Sequence, residues 1–128
     1  MRHTPKVCTG FTDGKIKIFD ILKSKQVQEF EGLHYGRIGS LGCSHNLVCT
    51  GGRDGFVSIQ DFRDKREVVR YKAHNQEICG LKLCPSAELI ATGGNDNKLT
   101  VFSMKKMSPL VVWDEHQAAV KAIGFNPK

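Results

Sequence analysis

The sequence lacks several features that mark particular classes of protein. No apolar run approaches the 18 or more residues of a membrane span, and the first residues do not lead into the apolar region of a signal peptide. No glycine-rich loop precedes a helical pattern, as it does in nucleotide-binding proteins. These absences argue against a membrane protein and a nucleotide-dependent enzyme, and they favour a protein of the nucleus and cytoplasm.

Tryptophan is scarce, and paired cysteine motifs are absent. The chain has five cysteines with no Cys-x-x-Cys pair, and Trp113 is its single tryptophan. Cys8 and Cys49 lie 41 residues apart, and the next position in that series is Ala91. Because alanine can neither ligate a metal nor form a disulfide, the exchange predicts buried, reduced thiols, with no metal site and no cofactor.

The charge of the chain does not demand a particular partner. The net charge is +6, from 19 basic and 13 acidic residues. The basic residues are scattered and form no stripe with interleaved aromatic residues, so a solvated surface is favoured over a nucleic-acid interface.

The sequence contains one motif, which we call the Thr-Gly phrase, that occurs three times. Each copy ends a short apolar segment in Thr-Gly, continues through a turn rich in Gly, Asn or Asp, and resumes an alternating pattern. The copies are Thr9–Phe19, Thr50–Gln60 and Thr92–Phe102, at spacings of 41 and 42 residues. A repeat of this length with four short strands is typical of a WD40-type β-propeller blade.

Histidines mark where the repeats begin. His34, His74 and His116 are 40 and 42 residues apart, and Ile38, Ile78 and Val120 each follow by four positions. The pattern predicts one all-β domain of WD40-type blades over residues 1–128. Its units are a partial blade at 6–31, complete blades at 34–72 and 74–114, and the start of another at 116–128, with an inner strand from Val120 to Phe125.

This arrangement leaves an incomplete ring. A propeller blade packs each of its faces on a neighbouring blade, so two complete blades with partial flanks form an open arc with exposed apolar faces. We therefore expect that the chain is a fragment of a longer protein or that it self-associates through those faces.

Each complete repeat also carries a recurring polar set. A histidine precedes the inner strand, a threonine lies on the second strand, and an aspartate lies in the next turn. The sets are His34, Thr50 and Asp54, then His74, Thr92 and Asp96. The residue types suggest a catalytic triad, but a set that recurs in every blade is a structural device for satisfying buried polar groups. We predict that the protein is not an enzyme.

The strand tryptophan of WD40 blades, which extends this polar set, is missing. Phe19, Gln60 and Phe102 stand in its place. The sequence therefore predicts weaker polar networks than a blade with tryptophan has.

Several stretches resemble the fizzy and fizzy-related proteins more closely than a generic blade. They are His74–Lys82, Ala91–Leu99 and Glu115–Ile123, while Arg53–Arg63 fits less closely but in the right order. The resemblance spans nearly the whole chain. It leans towards the fizzy-related branch through Asn97-Lys98-Leu99 and Ala118–Ile123.

The resemblance implies a seven-bladed propeller, of which this chain holds about three blades. Proteins of this family activate the anaphase-promoting complex, a ubiquitin ligase of cell division, by binding degron motifs on substrate proteins. The expected partners are therefore subunits of that complex and degron-containing substrates, although the family's ligase-docking motifs are not in this sequence. The alternative is a generic WD40 interaction scaffold without degron binding.

The same resemblance names candidate binding residues. Asn95 and Asn97 match an Asn-x-Asn turn on the top face that helps to bind a Lys-Glu-Asn degron. Two short amides offer donors and acceptors to a peptide, but asparagine is also a common turn former, so both interpretations stay open. Arg37, Arg53 and Arg63 are candidates for lining a groove for an extended degron between two blades.

Overall fold

The computed structural model of the protein describes residues 5–44 and 46–126, so the outermost residues of the predicted domain lie outside the described ranges. Within those ranges the regular structure consists of β-strands, and the all-β prediction is confirmed. In chain order the strands are β1 (Lys6–Gly10), β2 (Ile16–Asp20), β3 (Lys25–Phe30), β4 (Ile38–Ser44), β5 (Leu47–Gly52), β6 (Phe56–Asp61), β7 (Arg66–Lys72), β8 (Ile78–Leu83), β9 (Leu89–Gly94), β10 (Leu99–Ser103) and β11 (Ser108–Trp113).

The strands form three antiparallel sheets in which neighbours in sequence are neighbours in space. The first sheet has three strands in the order β1-β2-β3, the second has β4 to β7, and the third has β8 to β11. Each sheet is therefore a simple up-and-down meander, and each corresponds to one predicted blade. Among the described residues there is no helix of the length and apolarity that crossing a membrane requires.

The repeat extends to the irregularities of the sheets. A β-bulge interrupts the pairing of the last two strands at the same place in every sheet, between Ile18 and Phe19, Ile59 and Gln60, and Val101 and Phe102. The turn that follows ends in each case on a residue with a left-handed backbone, namely Ser24, Lys65 and Met107, with φ of 52°, 55° and 51°. Because a bulge increases local twist, its recurrence keeps the three outer strands alike.

Adjacent sheets pack by bringing one glycine against one branched side chain. A Cβ on Gly10 would lie 2.9 Å from Ile38 Cγ2, and a Cβ on Gly51 would lie 2.6 Å from Ile78 Cγ2. The glycine of each Thr-Gly phrase thus lets the inner strand of the next sheet approach closely. The apolar residue that follows each histidine by four positions is the residue that fills this contact.

The hydrophobic cores lie in the two seams between sheets. The seam between the first and second sheets buries Ile16, Ile18, Phe30, Leu33 and Val48. The seam between the second and third sheets buries Cys49, Val57, Ile59, Ile78, Leu83, Ile90 and Phe102. The outer strand β11 lies beyond the second seam, and its Leu110, Val112 and Trp113 are exposed.

The predicted inner strand from Val120 to Phe125 is wrong for the described residues. No strand is present between residues 119 and 126. Val120 nevertheless takes the place of its counterparts in the earlier repeats, because its Cγ1 lies 2.5 Å from where a Cβ on Gly93 would be and its N–H donates to Gly94 O at 3.2 Å. The segment packs on the third sheet. It is not a strand, because a strand needs a hydrogen-bonded partner and no described segment pairs with it.

The thiols differ from the predicted pattern. Cys49 and Cys84 are buried, but Cys43 is exposed and Cys8 and Cys79 are half-buried. For Cys8 and Cys43 the reason is that the first seam covers its cysteines less completely than the second seam does, whereas Cys79, on β8, lies beside Val120.

Two glycines with left-handed backbones allow a test of packing between sheets. Gly55 has φ of 81° and a Cβ there would overlap the carbonyl oxygen of His74, whereas Gly32 has φ of 68° with nothing within 4 Å. Gly32→Ala should cost about 1–2 kcal/mol of unfolding free energy for the left-handed backbone alone. Gly55→Ala should cost about 1–3 kcal/mol more, because it also overpacks the seam. Urea unfolding measures both, and equal costs would contradict the predicted clash.

Candidate functional site

One edge of the three sheets collects most of the residues that the sequence singled out. In an up-and-down meander, alternate turns lie at the same end. We call this end the loop edge, which comprises residues 11–15, 31–37, 53–55, 73–77 and 95–98. The opposite edge comprises the turns at 21–24, 62–65, 84–88 and 104–107, together with Asn46.

A buried histidine ties the loop edge of the second sheet together. His34 Nδ1 lies 3.1 Å from Asp54 Oδ1, and His34 Nε2 lies 2.7 Å from Thr50 Oγ1. The Asp54 carboxylate also accepts hydrogen bonds from the backbone N–H groups of Tyr35 at 3.0 Å and Phe56 at 3.1 Å. One aspartate therefore holds the incoming loop, the histidine ring and the turn in a single arrangement.

The third sheet repeats this geometry. His74 Nδ1 lies 2.9 Å from Asp96 Oδ1, and His74 Nε2 lies 2.9 Å from Thr92 Oγ1. The Asp96 carboxylate accepts from the backbone N–H groups of Asn75 at 3.1 Å and Lys98 at 3.2 Å. The second glycine of each Thr-Gly-Gly phrase leaves room for the ring, since a Cβ on Gly94 would lie 2.6 Å from His74 Nδ1.

The electrostatics of these sets fit a structural role. Burial lowers the pKa of His34 below its ordinary value, and the Asp54 carboxylate opposes this only in part. A neutral ring must keep its proton on Nδ1, because Asp54 only accepts, and Nε2 then accepts from the Thr50 hydroxyl. The side chains of His34 and His74 have no exposed surface, so neither ring can reach a substrate.

The aspartate of the second set is held in its charged form. Burial alone would raise the pKa of Asp96, but the hydrogen bonds from His74, Asn75 and Lys98 outweigh burial and lower it. An ionised carboxylate is the state in which Asp96 can accept all three hydrogen bonds.

The two complete sheets end their polar networks differently. In the second sheet, Gln60 Nε2 donates to Ser58 Oγ at 2.6 Å, and Ser58 Oγ donates to Glu67 Oε2 at 2.7 Å. In the third sheet the network stops at Thr100, 2.6 Å from Thr92, and Phe102 stacks on Tyr71 with ring centroids 3.9 Å apart. The missing tryptophan thus leaves the third-sheet network short. In the second sheet the side chains of Gln60, Ser58 and Glu67 form a separate group, which meets the histidine set through the Thr50 hydroxyl and Ser58 O, 3.3 Å apart.

An ion pair joins the loop edges of the two complete sheets. Arg37 Nε donates to Glu77 Oε2 at 2.8 Å, and Arg37 Nη2 donates to Glu77 Oε1 at 2.6 Å. The Arg37 guanidinium lowers the pKa of Glu77, with a smaller contribution from Arg53. This two-pronged contact holds Arg37 against the protein itself, so it reduces the charge that Arg37 offers to a ligand.

Asn95 and Asn97 lie in the turn between β9 and β10, within the loop edge. Asn95 is exposed, its backbone N–H donates to Glu77 O at 2.9 Å, and its Oδ1 lies 3.5 Å from Cys79 Sγ. Asn97 is half-buried with φ of 65°, at the position that glycine holds in the sister turns, Gly14 and Gly55. Asn97 therefore has a turn-forming role in this structure, while the Asn95 amide faces outward.

The structure separates the three candidate groove arginines. Arg53 is exposed on the loop edge beside Gly36, and its backbone N–H donates to Arg37 O at 3.0 Å. Arg63 lies in the turn at the other end of the six-residue strand β6, which spans roughly 20 Å, and pairs with Asp61 at 3.1 Å. This placement corrects the predicted grouping, because Arg63 belongs to the opposite edge.

Two loop-edge residues were missed in the sequence analysis. Tyr35 is 90% exposed, and Glu77 joins two sheets through Arg37. A signal for Tyr35 was available, because it directly follows a histidine that must point inward. No sequence signal identifies Glu77, whose partner lies 40 residues away.

Comparisons with known proteins agree with this architecture. A family model described as WD domain, G-beta repeat matches residues 65–103. Protein FIZZY-RELATED 1 of Arabidopsis thaliana is 39% identical over 92% of this chain and 25% of its own length. Cell division cycle 20.1, cofactor of APC complex, from the same plant, is 33% identical over 94% of this chain and 28% of its own length. This chain is a WD40 segment of the fizzy and fizzy-related type.

One solved structure is similar in fold to this fizzy-type segment. A chain in the crystal structure of a mitotic checkpoint complex has a TM-score of 0.90 and 27% sequence identity, over 95% of this segment and 39% of that chain. The segment spans about a quarter of the length of the curated relatives it matches. The activity of such a relative therefore rests on more than the residues described above.

The lowered pKa of His34 predicts an acid-sensitive fold. The unfolded histidine binds a proton near its ordinary pKa of about 6.5, and folded His34 does so only at lower pH, so the unfolded state binds more protons between the two values. The stability from this site is complete above the unfolded pKa and is lost as pH falls below it.

We expect the unfolding free energy to fall between about pH 7.5 and pH 5.5, measured by urea unfolding, and to fall less in a His34→Gln variant. Gly32→Ala is the control, because it destabilises the chain and keeps the histidine. The assignment is wrong if the His34→Gln variant loses as much stability over this range as the unaltered chain.

Proposed function

We propose that this segment is part of an activator of the anaphase-promoting complex, and that its loop edge binds degron peptides of substrate proteins. Cell division cycle 20.1 is named as a cofactor of that complex. The observation that carries the peptide-binding role is the loop edge itself, where adjacent sheets present polar side chains on a rigid, hydrogen-bonded frame. The segment acts as an adaptor and leaves the ubiquitin chemistry to the ligase.

The repeat makes Asn95 and Arg53 equivalent positions on neighbouring sheets. Both lie in the turn between the second and third strands, and both donate a backbone N–H to the loop before an inner strand, at 2.9 Å and 3.0 Å. These main-chain hydrogen bonds fix the backbone at both positions. The two side chains take no part in them, so they stay able to bind a ligand. An exposed amide and an exposed guanidinium side by side suit a peptide that carries both an amide and a carboxylate.

The charge pattern favours a short acidic or amide-containing ligand. Arg37 is occupied by Glu77, and among the described residues no carboxylate lies within ion-pair distance of the Arg53 guanidinium. Arg53 is therefore the exposed guanidinium that the loop edge offers to the glutamate of a Lys-Glu-Asn motif, and Asn95 offers donors and acceptors to the motif's asparagine. The exposed ring of Tyr35 borders the same edge.

The dual character of Asn97 determines the choice of variant. Glycine occupies its position in the sister turns with φ of 85° and 81°, so Asn97→Gly removes the amide and keeps a left-handed turn. Asn97→Ala would remove the amide and strain the turn together, which would mix the two roles.

Peptide binding to the longest natural product that contains residues 1–128 tests the proposal. Fluorescence anisotropy with a labelled Lys-Glu-Asn peptide should show about ten-fold weaker binding for Asn95→Ala and Arg53→Ala, since a hydrogen bond to a charged or amide group typically contributes about 1–2 kcal/mol. Asn46→Ala and Arg63→Ala alter the same residue types on the opposite edge and should leave the affinity unchanged. Equal affinity in all four variants would remove the loop edge from degron binding.

A second candidate is a WD40 interaction scaffold without degron binding. The left-handed backbone of Asn97 favours it, because the turn alone accounts for an asparagine there. In that case the unaltered protein would show no more affinity for a Lys-Glu-Asn peptide than for its Lys-Ala-Asn counterpart.

We also propose that the protein works in the nucleus and cytoplasm, where a cell-division ligase and its substrates would meet it. Fluorescence microscopy of the tagged natural product tests this, and confinement to a membrane-bound organelle other than the nucleus would contradict it.

A further inference from the structure

Two thiols meet across the seam between the first and second sheets. Cys43 Sγ, on β4, lies 3.2 Å from Cys8 Sγ, on β1, although the residues are 35 positions apart in sequence. Cys43 is exposed and Cys8 is half-buried, so small molecules can reach the pair from solvent. The described residues contain no third metal-ligating side chain beside them, so the geometry indicates thiol chemistry rather than metal binding.

The equivalent pair of positions in the second seam shows a different role for these residues. The counterparts of Cys8 and Cys43 in the next seam are Cys49 and Leu83, and both are buried in the core of that seam. There the thiol is a small apolar group packed against leucine. The first seam differs because both members of the pair are cysteines and both are less covered.

The other cysteines have partners of a different kind. Cys79 Sγ lies 3.2 Å from Val120 O, and Cys84 Sγ lies 3.2 Å from Ser86 Oγ. Cys49 is fully buried, and burial raises the pKa of its thiol to about 12. Within the described ranges, Cys8 and Cys43 are therefore the two thiols placed to react with each other.

We infer that Cys8 and Cys43 form a reversible disulfide that locks the first sheet to the second, with a low-molecular-weight disulfide such as glutathione disulfide as the oxidant. The Cys8 thiolate attacks one sulfur of glutathione disulfide, which forms a mixed disulfide and releases one glutathione thiolate. The Cys43 thiolate then attacks the Cys8 sulfur and releases the second glutathione. The two protein thiols lose two electrons and two protons, and the products are one protein disulfide and two glutathione thiols.

The local electrostatics agree with this order of attack. The hydrogen bond from the Cys43 thiol lowers the pKa of Cys8, and the same contact raises the pKa of Cys43. A thiolate is the attacking species in thiol–disulfide exchange, so Cys8 reacts first and Cys43 resolves the mixed disulfide.

The bond would change the mechanics of one seam only. β1 and β4 contact each other through side chains and through the close approach of Gly10 to Ile38, whose N–H donates to Phe11 O at 3.2 Å. Within the described residues no main-chain ladder joins the two sheets. A disulfide would replace a separable contact by a covalent one at the end of β4 that lies away from the loop edge. The second seam, with Cys49 against Leu83, has no equivalent lock.

The experiment equilibrates the natural product that contains residues 1–128 with graded ratios of glutathione disulfide to reduced glutathione. Free thiols are blocked, and peptides are mapped by mass spectrometry. We expect a cross-link between the peptides of Cys8 and Cys43, formed at a glutathione disulfide ratio at least ten-fold lower in the folded protein than in urea. Cys49→Ser is the matched control, because it alters the same repeat position in the next seam and should leave the cross-link intact.

Variants separate a specific lock from general thiol oxidation. Cys43→Ala changes an exposed side chain and should leave Cys8 as a glutathione adduct with no cross-link; Cys8→Ser should abolish the cross-link as well. Amide hydrogen exchange in β1 and β4 should slow several-fold on oxidation of the unaltered protein and the Cys49→Ser variant, and should not change in Cys43→Ala. Cross-links spread over other cysteine pairs, or formation at the same ratio in urea, would overturn the inference.

Discussion

A buried histidine held between an aspartate and a threonine is the interaction on which this structure depends. A strand meander specifies the sheets, but it leaves the loops at their ends free to move. His34 and His74 each connect the loop before an inner strand to the second strand and to the turn beyond it. The rings are buried, and a neutral imidazole needs one donor and one acceptor partner. The loops therefore have a single low-energy arrangement. The backbone of the loop edge is then rigid enough to present side chains.

The repeat contains positions at which packing fixes the residue and positions at which the residue is free to vary. Glycines at the seams and around the histidines are constrained by space, since a side chain there would meet a branched side chain, a backbone or a ring. The turn residues beside them are not constrained in that way, so equivalent positions carry Arg53 in one sheet and Asn95 in the next. A surface of this kind acquires specificity by substitution at fixed backbone positions, without any change in the fold. The two seams also differ by substitution at equivalent positions: one carries a thiol and a leucine, and the other carries a pair of thiols.

Much of the fold was predictable because it depends on local pattern and on period. Alternating apolar residues, the Thr-Gly phrases and the spacing of His34, His74 and His116 predicted short strands in a repeating order, since each signal is contained within a few positions. The strand from Val120 to Phe125 was predicted on the same grounds and is absent, because a strand also needs a partner. The expected burial of Cys43 failed for a related reason, as burial depends on which surface covers the residue.

The sequence by itself determined that the chain is all-β, where its blades begin, and which polar sets recur, because these properties repeat at a fixed interval and each copy supports the others. Only the tertiary structure decided which distant residues meet. It joined Arg37 to Glu77 and brought the thiols of Cys8 and Cys43 to 3.2 Å. Such contacts cross from one sheet to the next, and their distances are set by the twist and packing of whole sheets rather than by the order of residues along any one strand.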